Sequence, residues 1–184
     1  MRPEYLPHCV YDPRFLEVDM INRGPLSVAL EFLPETMDTL DSRALLLKIG
    51  LQESKLVHRR QLVGSPPRPT GPAAGLWQFE RGGGIQGCMT HPATSGYLRS
   101  LCAMANVPFD SRAIWEAIQH DDVLAAGLAR LNLWWSPRRL PSRHSEQAGW
   151  DEYIFCWRPG KPHRVTWGGY HQIVNEYIKR TFRT

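Results

Sequence analysis

Residues 34–54 read PETMDTLDSRALLLKIGLQES, and this stretch predicts the first strong helix of the chain. Pro34 and the acidic Glu35 suit the first turn of a helix. The apolar residues that follow recur at spacings of three and four, which is typical of a helix with a buried face: Met37, Leu40, Ala44, Leu47 and Leu51. Leu45, Leu46 and Ile49 widen that face. We therefore expect this helix to enter the core and to carry Glu53 at its C-terminal end.

The sequence outside this helix is also predicted to be mostly helical. Pro92 is expected to open one helix, Asp110 to cap the next, and a third to begin near Asp121. A last helix is expected from about Trp167 to Thr181, with its aromatic and branched apolar residues on one face. These patterns predict a mostly α fold class.

Two segments interrupt the helical pattern with glycine and proline. Residues 63–75, VGSPPRPTGPAAG, predict a loop. Residues 75–87, GLWQFERGGGIQG, predict turns or a short β-ribbon, because three consecutive glycines disfavour a regular helix. Residues 136–149 predict a basic, polar loop, and residues 1–33, punctuated by proline, predict an N-terminal arm with one short helix. Residues 34–184 are expected to form a single compact domain.

Composition sets broad limits on function. The chain has 184 residues, of which 42% are apolar, and this excludes a disordered chain. Lys and Arg number 22 against 18 Asp and Glu, so the net charge of +4 suits an anionic partner without specifying it. Seven Trp residues are unusual, and sugar-binding clefts and large cores are two reasons for them. No signal peptide or membrane-spanning stretch is apparent, so we expect a soluble protein made in the cytoplasm, with no membrane insertion.

No cofactor or metal is predicted. The four cysteines show neither a CxxC pair nor a zinc-like spacing with histidine, and we interpret them as free thiols: Cys9, Cys88, Cys102 and Cys156. Gly82, Gly84 and Gly87 satisfy the dinucleotide-binding pattern G-x-G-x-x-G, but no strand–helix alternation surrounds them.

The residues that best suit chemistry lie in two short segments. Residues 50–54, GLQES, end the apolar helix, and residues 75–80, GLWQFE, begin the glycine-rich segment. A carboxylic acid that protonates a leaving oxygen near neutral pH needs a raised pKa, which apolar surroundings provide. Glu53 follows a strongly apolar run and fits that role. Glu80 is the candidate second carboxylate, since glycoside cleavage often uses two.

These segments resemble motifs of the lysozyme-like superfamily that includes goose-type lysozymes and soluble lytic transglycosylases. In that group a helix ends in Glu-Ser and a second motif reads Gly-Leu-Met-Gln, and Glu53-Ser54 and residues 75–78 (GLWQ) are similar to them. A third motif, Ala-Leu-Ala-x-Tyr-Asn, resembles residues 127–132 (GLARLN). The chain departs from the family at Trp77, which replaces Met, and at Leu131, which replaces Tyr.

The resemblance implies a lysozyme-like helical fold with a cleft that binds peptidoglycan glycan strands and cleaves the MurNAc-GlcNAc β-1,4 bond. It implies Glu53 as the general acid and Glu80 at the position of the family's second carboxylate. Ser54, Trp77, Gln78 and Asn132 are implied as substrate-binding residues, with Trp77 as a wall for a sugar ring. Such an enzyme, without a signal peptide, fits a phage endolysin released to the cell wall or a component of the virion.

Three functional alternatives remain open at this stage. A lytic transglycosylase would use Glu53 alone and let the sugar's own 6-hydroxyl attack, whereas a hydrolase needs a positioned water and so favours a role for Glu80. A non-catalytic virion or binding module with this fold is the third. Its nucleic-acid form would use the basic residues near Trp134 and Trp135: Arg138, Arg139, Arg143 and His144. Because both glutamates are present, we expect an enzyme and no nucleic-acid partner.

Overall fold

The computed structural model describes residues 12–182, and the mostly α fold class is confirmed for them. The helices are α1 (Arg14–Ile21), α2 (Ser27–Glu31), α3 (Leu40–Ser54), α4 (Gln86–Thr90), α5 (Ser95–Met104), α6 (Ser111–Ala117), α7 (Asp122–Trp134), α8 (Glu146–Trp157) and α9 (Arg164–Phe182). Two strands, β1 (Arg60–Val63) and β2 (Arg68–Ala74), form an antiparallel ribbon. Within residues 12–182, no helix combines the length and the apolar character needed to cross a membrane.

Helix α3 lies at the centre of the core, as its periodicity predicts. Every residue from 44 to 51 is buried, including Lys48, whose Nζ donates a hydrogen bond to the carbonyl oxygen of Arg143 at 2.7 Å. The helix begins later than expected, because Glu35–Met37 form a separate 3-10 turn. Thr39 then caps the helix in a reciprocal capping box with Ser42. α3 packs against both α7 and α9, so this one helix contacts two separate parts of the helical fold.

Residues 12–33 belong to the same core rather than to an arm. Val18 in α1 and Ala29 in α2 are completely buried, and so is Leu26 in the kinked wide turn of residues 22–26 that joins the two helices. α1 packs against α9 and α2 against α7. Prolines separate the apolar residues of this region in the sequence, yet in the fold these residues form one buried face. The remainder of the expected arm, residues 1–11, lies outside the described residues.

The β-ribbon forms where a loop was expected. β2 occupies most of residues 63–75, and its prolines are tolerated because a two-stranded ribbon leaves one edge of each strand unpaired. Gly71 is needed there, since a Cβ at that position would lie 2.5 Å from Oε1 of Gln61. The segment expected as turns or a ribbon instead forms a tight turn at 75–78 and a wide helical turn at 81–85 that leads into α4.

The second half of the chain follows the prediction at most points. Asp110 and Asp121 cap α6 and α7 by accepting hydrogen bonds from backbone N–H groups of the first turn. The expected polar loop is shorter than predicted, because α8 already begins at Glu146 with Ser145 as its cap. α9 confirms the last predicted helix. Cys88, Cys102 and Cys156 are free thiols, and Cys9 lies outside the described residues.

Candidate active site

A cleft of about 1160 Å³ lies beside the C-terminal end of α3. Its walls come from the β-ribbon, the tight turn at 75–78, the glycine-rich turn at 81–85, the end of α7, and the chain from the end of α8 to α9. Small-molecule sites typically occupy about 300–1,000 Å³, so this cleft has room for an extended ligand. Glu53 and Glu80 both line it, so the structure brings the two predicted carboxylates to one cavity.

Glu53 occupies the last turn of α3, where the helix ends abruptly. Lys55 and Leu56 both adopt left-handed backbone conformations, with φ of 58° and 57°. The reversal brings Leu56 against Gly50, where its side chain fills the space that a Cβ would occupy. α3 therefore stops one turn beyond the buried core, and Glu53 is left half-buried at the edge of the cleft.

The Glu53 carboxyl group lies in surroundings that favour its protonated form. Burial raises the pKa of Glu53 to about 7, and the hydrogen bond from Tyr153 partly opposes this rise by stabilising the carboxylate. The Tyr153 hydroxyl donates to Oε1 of Glu53 at 2.7 Å. Burial and the neighbouring carboxylate also raise the pKa of Tyr153, so its hydroxyl stays protonated and remains a donor.

Tyr153 is fixed by aromatic contacts rather than by further polar bonds. Its ring stacks on Trp167 with centroids 5.5 Å apart and an interplanar angle of 13°. Trp150 packs beside both rings, with centroid distances of 5.3 Å to Tyr153 and 5.5 Å to Trp167. The packing of α8 against α9 therefore fixes the position of the Tyr153 hydroxyl, which donates the hydrogen bond to Glu53.

Removing the Tyr153 hydroxyl provides a direct test of this electrostatic balance. In Tyr153→Phe the pKa of Glu53 is expected to rise above its value of about 7, because burial remains while the hydrogen bond that lowers the pKa is lost. The carboxyl carbon resonance of Glu53, followed by NMR against pH, measures the change. Tyr170→Phe is the matched control, since Tyr170 is also buried on an adjoining helix. A Glu53 titration that is the same in both variants would contradict this account.

Ser54 and Trp77, implied as substrate-binding residues, have structural contacts instead. The Ser54 hydroxyl is buried and donates to the carbonyl oxygen of Leu76 at 2.6 Å, so it joins the two sequence motifs to each other. Trp77 is completely buried, and its Nε1 donates to the carbonyl oxygen of Leu46 at 2.8 Å. The Trp77 ring therefore belongs to the core beneath the cleft, not to the wall of a sugar site.

Gln78 and Asn132 do line the cleft. Gln78 adopts a left-handed conformation with φ of 52°, and its side-chain amide donates to the carbonyl oxygen of Gly75 at 2.8 Å. Asn132, near the end of α7, accepts a hydrogen bond from Nε1 of Trp135 at 3.2 Å and donates to the carbonyl oxygen of Cys156 at 3.3 Å. Both amides hold the cleft walls in place through these hydrogen bonds.

Glu80 follows the tight turn and differs from Glu53 in its surroundings. It is exposed, and its carboxylate forms no salt bridge among residues 12–182. The glycines after it allow close packing of the turn, since a Cβ at Gly84 would lie 2.6 Å from Cδ1 of Phe79. The Phe79 ring in turn packs on Trp157, with centroids 5.6 Å apart. Glu80 therefore follows a well-packed turn, and its carboxyl group is exposed at the cleft.

The aromatic residues after position 149 divide between cleft and core. Tyr153 and Trp157 line the cleft, and the Trp157 Nε1 donates to the carbonyl oxygen of Trp77 at 2.9 Å. Trp167 and Tyr170 are buried. Sequence reasoning missed the contact between Tyr153 and Glu53, because 100 positions separate them and no local pattern pairs them.

Two of the basic residues near Trp134 make different contacts. The Arg138 guanidinium stacks on Phe155 at 4.0 Å from the ring centroid, whereas Arg143 faces the start of α3 and pairs with Asp41. Trp135 packs against His91 and lines the cleft. These groups therefore contact different parts of the fold.

Comparison with known proteins gives no relative for this chain. No protein-family model, no curated protein and no solved structure matches it.

Proposed function

We propose that this protein is a peptidoglycan-cleaving glycosidase with Glu53 as its general acid. The observation that supports this most directly is a half-buried carboxyl group in a large cleft, held by one tyrosine donor, with its pKa raised to about 7. Near neutral pH a substantial fraction of such a group is protonated and can donate its proton to a leaving oxygen.

The cleft also suits a glycan chain. Its volume of about 1160 Å³ leaves room for an extended ligand, and its lining includes the aromatic residues Phe79, Trp135 and Trp157. Aromatic faces pack well against the apolar faces of sugars, while the Nε1 donors of Trp135 and Trp157 brace the walls through hydrogen bonds to Asn132 and to the Trp77 carbonyl oxygen. The turn at 82–84 adds backbone with no side chains, which allows close approach of a ligand.

In the proposed reaction Glu53 gives its proton to the glycosidic oxygen as the bond from that oxygen to the sugar C1 breaks. Glu80 accepts a proton from a water molecule while the water oxygen attacks C1. The products are two shorter glycans, one with a new reducing end, and the two carboxyl groups exchange protonation states. Solvent returns each to its starting form.

The different surroundings of the two glutamates support this division of roles. Burial favours the protonated form of Glu53, whereas Glu80 is open to solvent. Two carboxyl groups in different surroundings are the usual arrangement for an acid and a base in one glycosidase. The alternative is a lytic transglycosylase, which uses Glu53 alone. It applies if the exposed Glu80 side chain does not hold an attacking water.

Replacing Glu80 separates these mechanisms. In Glu80→Gln the rate of glycan cleavage is expected to fall by about 100-fold or more, since the base that activates water is lost. Release of reducing ends from purified peptidoglycan measures the rate, and mass spectrometry of the products distinguishes reducing from 1,6-anhydro ends. Glu35→Gln, an exposed glutamate outside the cleft, is the control. Unchanged turnover in Glu80→Gln with anhydro products would establish the transglycosylase alternative instead.

A further inference from the structure

One rim of the cleft is basic, and the proposed chemistry does not use it. The connection between α8 and α9 contributes Arg158, Lys161 and His163 to the cleft lining. We call these three residues the basic rim. All three are exposed. They line the same cavity as Glu53, so any ligand that binds beside Glu53 also meets this rim.

The basic rim is tied to the residue that precedes the proposed acid. The Gln52 side chain donates from Nε2 to the carbonyl oxygen of His163 at 3.1 Å. Its Oε1 accepts a hydrogen bond from Oγ1 of Thr166 at 3.0 Å. Gln52 thus uses both ends of its amide to hold the connection against the end of α3. The position of the basic rim is therefore coupled to that of Glu53.

Arg158 occupies a backbone position that favours glycine. As the C-cap of α8 it has φ of 48° and ψ of 50°, in the left-handed region. Glycine is the preferred residue at such a helix end because it has no Cβ to clash with the backbone. An arginine here carries a conformational cost, and a cost of this kind at the edge of a cleft points to a use for the side chain.

The charged side chains of Arg158 and Lys161 are also accessible. Neither forms a salt bridge with any of residues 12–182, and the only hydrogen bond of the Arg158 guanidinium within that range goes to the carbonyl oxygen of Phe155 at 3.4 Å. Arg164, which follows closely in the chain, is instead paired with Glu146 at 2.7 Å. Arg158 and Lys161 are therefore available to an anionic group in the cleft.

We propose that the basic rim binds carboxylate groups carried by the glycan, and so selects muramic-acid-containing strands over neutral N-acetylglucosamine polymers. This inference rests on the proposed function. A guanidinium pairs with a carboxylate through two parallel N–H donors, and an ammonium adds a point charge, so Arg158 and Lys161 together suit such a group. Two sources carry it: the lactyl carboxylate of muramic acid where no peptide stem is attached, and the carboxylates of the stem itself where one is.

The test measures binding in a chain that does not turn over. In a Glu53→Gln background, Arg158→Gly and Lys161→Gln are combined, and affinity is measured by calorimetry for three soluble ligands. These are glycan strands with peptide stems, strands stripped of stems by an amidase, and a neutral chito-oligosaccharide. Arg158→Gly removes the charge while giving the left-handed position its favoured residue, so loss of fold does not explain loss of binding.

Binding to stem-bearing strands is expected to weaken about tenfold and to lose part of its salt dependence, with no change for the chito-oligosaccharide. The lactyl carboxyl group is amide-linked in stem-bearing strands and free only in stripped ones. A loss on stripped strands alone therefore assigns the contact to the lactyl carboxylate, a loss on stem-bearing strands alone assigns it to the carboxylates of the peptide stem, and a loss on both shows that the basic rim binds either. Arg139→Gln removes an exposed charge outside the cleft and should leave all three affinities unchanged. Unaltered binding, or equal weakening for the neutral ligand, overturns the proposal.

Turnover by the wild-type chain separates this inference from the proposed function. If wild type fails to cleave stem-bearing strands while the double substitution still weakens their binding, glycosidase activity is wrong and the basic rim stands as a binding site. If wild type cleaves them and the substitutions leave binding unchanged, the basic rim is wrong and the glycosidase stands.

Discussion

Glu53→Gln is expected to lower the rate of peptidoglycan cleavage by about a thousandfold or more, because it removes the proton that the leaving oxygen needs. Glutamine keeps the size of the side chain and can still accept the hydrogen bond from Tyr153. In wild type the activity should also fall as the pH rises through about 7, where Glu53 loses its proton. Turbidity loss of purified cell walls measures both effects, and retained cleavage by the variant would contradict the assignment of Glu53.

The stability of the same variant provides its control for folding. The pKa of Glu53 is raised in the folded chain to about 7 from an ordinary 4.5, so its favourable contribution is complete below pH 4.5 and is lost as the pH rises through 7. Glutamine has no charge to lose. Glu53→Gln should therefore match wild type at pH 4 and exceed it at pH 8, by on the order of 2–3 kcal/mol in the free energy of unfolding. Urea unfolding at the two pH values measures this, and a variant less stable than wild type at pH 8 would contradict the burial argument.

Trp77→Ala is expected to destabilise the protein by about 3–5 kcal/mol, a large share of the total stability of a typical domain. The ring is completely buried, and its loss would leave a cavity and remove the hydrogen bond to the Leu46 carbonyl oxygen. Trp134→Ala is the matched control, because Trp134 is 38% exposed and its removal should cost less than about 1 kcal/mol. The midpoint of urea unfolding compares the two variants.

A milder substitution distinguishes the core role of Trp77 from a role at a sugar site. Trp77→Phe keeps an aromatic ring in the core but removes the donor to Leu46, so a smaller loss of stability is expected. Its KM for peptidoglycan should stay close to that of wild type, since the ring does not reach the cleft. A variant of unchanged stability whose KM rises tenfold would place Trp77 in contact with substrate after all.

Local sequence patterns predicted the elements whose causes are local. The apolar spacing around Leu47 predicted a core helix, and Asp110 and Asp121 predicted helix starts, because caps and periodicity act within a few residues. The β-ribbon was predicted at the wrong place, over residues 75–87, for the complementary reason. Prolines and glycines in residues 63–75 indicate a loop locally, and only pairing with β1 makes that segment a strand.

From the sequence alone it follows that the chain is mostly helical and that Glu53 lies near the end of a core helix. The sequence also marked Glu80 as a second candidate carboxylate. Only the tertiary structure decided that Trp77 faces the core, that Tyr153 donates to Glu53, and that the basic rim lies along the same cleft. The physical reason is that periodicity identifies which residues are buried but not what they are buried against. The groups that surround Glu53 come from distant parts of the chain. Burial of its carboxyl group raises its pKa, and the hydrogen bond from Tyr153 partly opposes that rise.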